Sequence, residues 1–159
     1  MDPIVPILIG SKSDWEHAQQ IVEALQALGL AGEIRIGSAH KSPAHVLQIL
    51  EEYEANPRPK VYITVAGRSN ALSGFVDAQV AAPVIACPPL SSSFGGADIF
   101  SSLRMPGGVA PAVVLDPAAA ALLAAKILGV GAAAIRQKVV AAQRRRRERI
   151  IADDAAANE

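Results

Sequence analysis

Apolar and polar residues change period repeatedly along this chain, between the runs or alternation of strands and the three-to-four spacing of helices. Residues 4–9, IVPILI, form an unbroken apolar run that predicts a short buried strand, followed by a turn over residues 10–13. Trp15, Ala18, Ile21, Val22, Leu25 and Leu28 then share one helical face, and Gly29 is a suitable stop. Residues 33–37 alternate as a second strand, Ser42-Pro43 is an N-cap and first-turn pair, and Val46, Leu47, Leu50 and Tyr53 form the next helical face. KVYITVA at 60–66 predicts a third strand, about 71–80 a helix, and PVIAC a fourth strand. Residues 88–108 are rich in Ser, Gly and Pro, with a short helix near ADIFSSL. They lead to a fifth strand, VAPAVVL, and to helices at about 117–129 and 132–151.

Strands alternating with helices predict a parallel sheet covered on both faces. Right-handed crossovers then place the loops after the strands along one edge. GSKSD, SAHKSP, AGRSN and CPPLSSS all fall there. Four polar loops from separate parts of the chain should therefore meet at one crevice.

A length of 159 residues suits one domain. Fifteen basic residues balance fifteen acidic ones, so no whole-molecule field favours nucleic acid or an anionic membrane, and any anion specificity must be local. Cys87 is the only cysteine, which rules out an internal disulfide and a cysteine-based zinc site and fits a reducing compartment. No stretch reaches the roughly 18 apolar residues of a membrane span, and no cleavable leader is evident. A cytoplasmic, soluble protein is the expectation.

Each loop admits a chemical and a plain reading. GSKSD offers a glycine turn, two hydroxyls and free N–H groups at a helix start, favourable for phosphate. Ser13 and Glu16 also match a capping box that would merely begin a helix. Asp14 would repel a close phosphate but can accept hydrogen bonds from ribose hydroxyls. In SAHKSP, His40 is the residue type that both takes and gives a proton near neutrality, although lone loop histidines are usually solvated. Lys41 could hold a phosphate or carboxylate as a point charge, or simply face water, and Ser38 could donate to a phosphate oxygen. AGRSN gives close backbone approach at Gly67 and neutral donors at Ser69 and Asn70, enough for a small carboxylate or an ordinary turn, with Arg68 paired at the surface. SSSFGG is equally compatible with a lid, a ligand loop or a connector.

Other features carry less. His17 and His45 lie on predicted helices as surface or packing residues, and no two histidines have the i, i+4 spacing of a helical metal site. Cys87, at a strand end, reads as a small buried hydrophobe. The run RRRRER at 144–149 lies on a late helix with Ile135, Val139, Val140 and Ile150, better suited to a solvated or subunit-contacting helix than to nucleic acid.

Taken together, GSKSDW, SAHKSP, AGRSNALSG, PVIACPPL and SSLRMPGG resemble, in order and spacing, the PurE family of purine biosynthesis over about residues 4–130. The resemblance implies a flavodoxin-like three-layer α/β/α subunit with a five-stranded parallel sheet. It also implies a homo-oligomer, usually an octamer, whose sites are completed by neighbours and whose C-terminal helix reaches across them. No metal or cofactor is implied.

The family has two branches. Mutases move a carboxyl group from an exocyclic nitrogen to the imidazole carbon; the second branch carboxylates aminoimidazole ribonucleotide directly with carbon dioxide. Mutases typically carry Arg after the loop histidine and a histidine in the third loop. Here Lys41 follows His40 and AGRSNALSG has no histidine, both as in the direct carboxylases.

Carried over by position, the resemblance puts phosphate and ribose on Ser11, Ser13, Asp14, Ser38 and Lys41, with Gly10 and Ala39 beside them. His40 becomes the acid/base, with Lys41 and Ser69 in the catalytic set, and Gly67, Arg68 and Asn70 lie where carbon dioxide and the new carboxylate sit. A mutase, or a non-catalytic flavin or nucleotide-binding module, are the alternatives; the low aromatic content, 4%, disfavours flavin stacking.

Overall fold

All six residues of β1 (Ile4–Ile9) are buried, as an apolar run with no polar alternation requires when both faces of a strand are covered. In the computed structural model, which describes residues 1–158, β1 lies inside a five-stranded sheet. The others are β2 (Ala31–Ile36), β3 (Tyr62–Val65), β4 (Val84–Ala86) and β5 (Ala112–Val113). Every pairing is parallel, in the order β2-β1-β3-β4-β5. This is the flavodoxin-like order, which reverses direction between β1 and β3.

Helices α1 (Trp15–Ala27), α5 (Pro117–Gly131) and α6 (Ala133–Ala157) cover one face, and α2 (Pro43–Glu54) and α3 (Leu72–Asp77) the other. The two-residue period of the strands divides the core. Val5, Ile7, Ile9, Ile63, Val65 and Ile85 pack with α1 and α5, while Ile4, Leu8, Tyr62 and Val84 pack with α2 and α3. A fourth short helix, α4 (Phe100–Leu103), follows a run of 3-10 turns at Ser93–Ile99 in which Phe94, Gly95 and Gly96 are left-handed.

Pro6 sits in a central strand, where a missing N–H should break a ladder. The amides of Ile4 and Gly10 donate to Pro59 and Val65 on the β3 side, so at a period of two the missing donor of Pro6 faces that side as well. The β1–β3 pairing has its gap there, between the Ile4–Lys60 bridge and the Ile7–Ile63 pair. β1 keeps its full register with β2, and the proline is tolerated.

Some expectations need correction. Trp15 and Leu47, assigned to apolar helix faces, are 42% and 38% exposed. Trp15 is the first residue of α1, ahead of its buried stretch, and in α2 the buried stripe is Val46, Ile49, Leu50 and Tyr53. β2 starts at Ala31, earlier than the alternation suggested, because its register with β1 pairs Ile4 with Ala31. β5 shrinks to two residues that begin just after Pro111, which has no N–H to donate to a ladder.

Candidate active site

The loops after β1, β2, β3 and β4 leave the same edge of the sheet, with the reversal point between the first and third. In the first loop Ser11 caps a 3-10 turn at Lys12–Asp14: its Oγ accepts the Ser13 N–H at 3.3 Å and hydrogen-bonds the Ser13 hydroxyl. The expected Ser13–Glu16 capping box is not the device used. The extra turn moves Ser13 inside the helical stretch, and Asp14 takes the N-cap position of α1 without a side-chain cap bond. The Asp14 carboxylate is therefore not committed to the helix start. Gly10 connects loop to sheet, its N–H donating to Val65 of β3 at 3.1 Å.

SAHKSP folds as a closed turn. The Ser38 N–H donates to Ser42 Oγ at 3.0 Å, the Ser42 N–H donates to the Ser38 carbonyl at 2.8 Å, and the Lys41 N–H donates to Ser38 Oγ at 3.2 Å. Pro43 occupies the first turn of α2 as the sequence suggested, while the Ser42 side chain faces back to the loop rather than capping the helix. His40 and Lys41 are both exposed within this turn, and Ala39 packs on the α2/α3 side of the core. Ser38 Oγ is an acceptor within the turn, and its own proton stays available for an anion oxygen.

The third loop is held from below. Asn70 is buried, at 4% exposure. Its Nδ2 donates to Ser102 Oγ at 2.8 Å, and its Oδ1 accepts the Ser73 N–H at 3.2 Å at the start of α3. The Asn70 side chain is thus engaged within the protein; Ser69 and Arg68 are the exposed members of the loop. Arg68 has a φ of 60°, a left-handed conformation that costs a non-glycine residue about 1–3 kcal/mol unless its surroundings impose it. Gly67 packs so closely on Pro89 of the fourth loop that a Cβ would lie 3.2 Å from its ring. A cleft of about 130 Å³ lies here, lined by Gly67, Arg68, Pro89, Ile99, Ser102 and Leu115.

Charge ties the first loop to the third, and a polar contact ties α1 to the end of β4. Burial raises the pKa of Asp14 above the usual carboxylate range, opposed by the Ser11 backbone and by the charges of His17 and Arg68. His17, one helical turn on, places Nε2 3.4 Å from Cys87 Sγ at the end of β4. Burial pushes its pKa down, against the contact with Cys87 and the charges of Asp14 and Asp116. The Cys87 thiol is pushed up to about 12, so it stays protonated and inert, as its apolar reading implied. His17, expected as a surface or packing residue, packs on Cys87 and borders the site, and its i, i+3 spacing from Asp14 is the sequence signal for that position. Ser101 and Ser102 gave no comparable signal, because nothing local ties them to a loop more than 30 residues earlier. Among the described residues no group of three His, Cys, Asp or Glu is placed to hold a metal ion.

Residues 4–149 match the family profile described as AIR carboxylase. The chain is 61% identical over 130 residues, 82% of each chain, to a phosphoribosylaminoimidazole carboxylase of Treponema denticola. It is 56% identical over 124 residues, 78% of this chain and 68% of the relative, to one from Archaeoglobus fulgidus. A human bifunctional phosphoribosylaminoimidazole carboxylase/succinocarboxamide synthetase is 44% identical over 126 residues, 79% of this chain but 30% of that protein. Among solved structures, Treponema denticola PurE superposes with a TM-score of 0.97 at 54% identity over 99% of both chains. With sheet order, loop chemistry and family profile in agreement, the chain belongs to the AIR carboxylase, or PurE, family.

Proposed function

We propose that the chain is a phosphoribosylaminoimidazole carboxylase of the direct branch, joining carbon dioxide to the ring carbon of aminoimidazole ribonucleotide in purine biosynthesis. The observation that carries this reading is the pair His40-Lys41 in the Ser38–Ser42 turn, combined with a third loop that contains no histidine. The carboxylase names of the Treponema and Archaeoglobus relatives support it.

In this reading the first loop and Ser38 bind the ribose phosphate, through the hydroxyls of Ser11 and Ser13 and the N–H groups at the helix start. Asp14 accepts from ribose hydroxyls. The aminoimidazole is an enamine, so its ring carbon attacks carbon dioxide directly: a C–C bond forms and one C=O electron pair moves to oxygen. His40 then removes the proton from that carbon, and the C–H pair restores the aromatic ring. Lys41 supplies a point charge for the phosphate or the new carboxylate, the Gly67–Ser69 turn stabilises that carboxylate, and Asn70 shapes the turn. Holding a small apolar gas against one ring atom is mainly a task of positioning. A cytoplasmic homo-octamer, with α6 seated on neighbouring copies, completes the reading.

The test supplies aminoimidazole ribonucleotide and a carbon dioxide–bicarbonate pool without ATP. Carbon-linked carboxylate should accumulate, and His40→Asn should stop turnover while nucleotide affinity stays within about threefold, since the imidazole acts on the ring carbon rather than on the phosphate. A wild-type protein that forms no such product would refute the assignment.

A further inference from the structure

A set of polar contacts near the crevice comes from α4, which the mechanism above does not use. Ser101 Oγ accepts the backbone N–H of Asn70 at 2.9 Å and lies 3.2 Å from the Arg68 carbonyl and 2.8 Å from the Asp98 carbonyl, its two candidate acceptors. Ser102, 2% exposed, accepts from Asn70 Nδ2 at 2.8 Å. Arg68 is left-handed between these anchors, and the cleft at Gly67, Arg68 and Ser102 opens beside them. Two adjacent serines thus grip both ends of the Arg68–Asn70 turn from a helix of only four residues. Both contacts reach out of α4 to a loop more than 30 residues earlier. What they fix is the conformation of one loop.

We infer that Ser101 and Ser102 are positioning residues for the carboxyl-donor loop, setting the enzyme's grip on carbon dioxide without touching the nucleotide. The inference rests on the carboxylase reading above. Nucleotide contacts lie on the first and second loops, whereas the serines act only on the third. The α4 clamp also ties that loop to the segment after β4, which carries the left-handed turn at Phe94–Gly96.

The experiment compares wild type with Ser101→Ala, Ser102→Ala and Ser101→Thr. Each alanine variant loses at least one hydrogen bond to the loop, so KM for carbon dioxide should rise about tenfold while KM for the nucleotide stays within about twofold. Ser101→Thr keeps a hydroxyl and should restore the wild-type donor KM. Hydrogen exchange gives a readout independent of activity: amides in residues 67–73 should exchange faster in the alanine variants, with the sheet unchanged. Unchanged donor KM in both alanine variants, or equal losses for both substrates, overturns the inference. Faster loop exchange in a wild-type-active enzyme with no change in donor KM overturns it too. Wild-type protein with no carboxylation would instead count against the carboxylase reading.

Discussion

Asp14 shows how the stability cost of a single residue depends on pH. Its native pKa is raised above the ordinary 3.8 chiefly by burial, so folding favours the protonated form and ionisation costs stability. That cost is absent below pH 3.8, grows as pH rises toward the native pKa, and is complete above it. Asp14→Asn should therefore raise the melting temperature near pH 7, by about 2–4 °C for each kcal/mol relieved, with the gain fading to nothing below pH 3.8. The same variant should bind the ribonucleotide more weakly if the carboxylate serves the ribose. Thermal melts at several pH values check the first part, and a melting temperature lowered at pH 7 would contradict it. Residue types and local spacing made the first and second loops legible in the sequence, since Ser11, Ser13, Asp14, His40 and Lys41 stand in their own turns. They could not reveal that Asn70 is engaged from below or that Cys87 backs His17, because both depend on partners 30 to 70 residues distant.

At the scale of elements, α6 is the outlier. It runs for 25 residues, yet its buried residues are only Ile135 and Val139, near its start, and Ala142 is the last to pack on the core. Beyond that point the helix carries Arg144–Glu148 and Arg149–Asp153 ion pairs on exposed side chains, which contribute little. A helix segment of about 15 residues is marginal in water by itself. Val140 and Ile151, both exposed, lie three turns apart on one stripe, with Ile150 beside it. A face of that kind fits a neighbouring copy. Deleting residues 144–159 should leave the far-ultraviolet dichroism of the sheet and remaining helices intact while lowering the mass measured by light scattering. An unchanged assembly mass would remove α6 from the subunit contact. The pattern of apolar positions located this helix and its arginine run marked it as solvated or subunit-contacting; how few of its residues reach the core was not legible, because a stripe read from sequence does not say which molecule it packs against. β5 erred the other way: VAPAVVL reads as a full strand, but only two residues pair.

For the molecule as a whole, the sheet order β2-β1-β3-β4-β5 explains why chemistry-bearing loops separated in sequence share one edge. The alternation of strands and helices was sufficient to infer the parallel sheet and its two covered faces, since β1 is an unbroken apolar run and β3 is interrupted only by Thr64. Strand order was legible only through the flavodoxin-like fold that the family resemblance implies, and the gap at Pro6 was not legible, because both depend on pairing between distant segments. The central claim is that the carboxyl group comes from free carbon dioxide rather than by migration within a carbamate. The most direct measurement gives the enzyme the N-carboxylated ribonucleotide, labelled with carbon-13 in its carboxyl group, in a large unlabelled carbon dioxide–bicarbonate pool. Mass spectrometry then reads the carboxyl carbon of the C-carboxylated product. Direct carboxylation predicts a product with the isotopic composition of the pool; retention of the carbamate's label in the product would contradict the account.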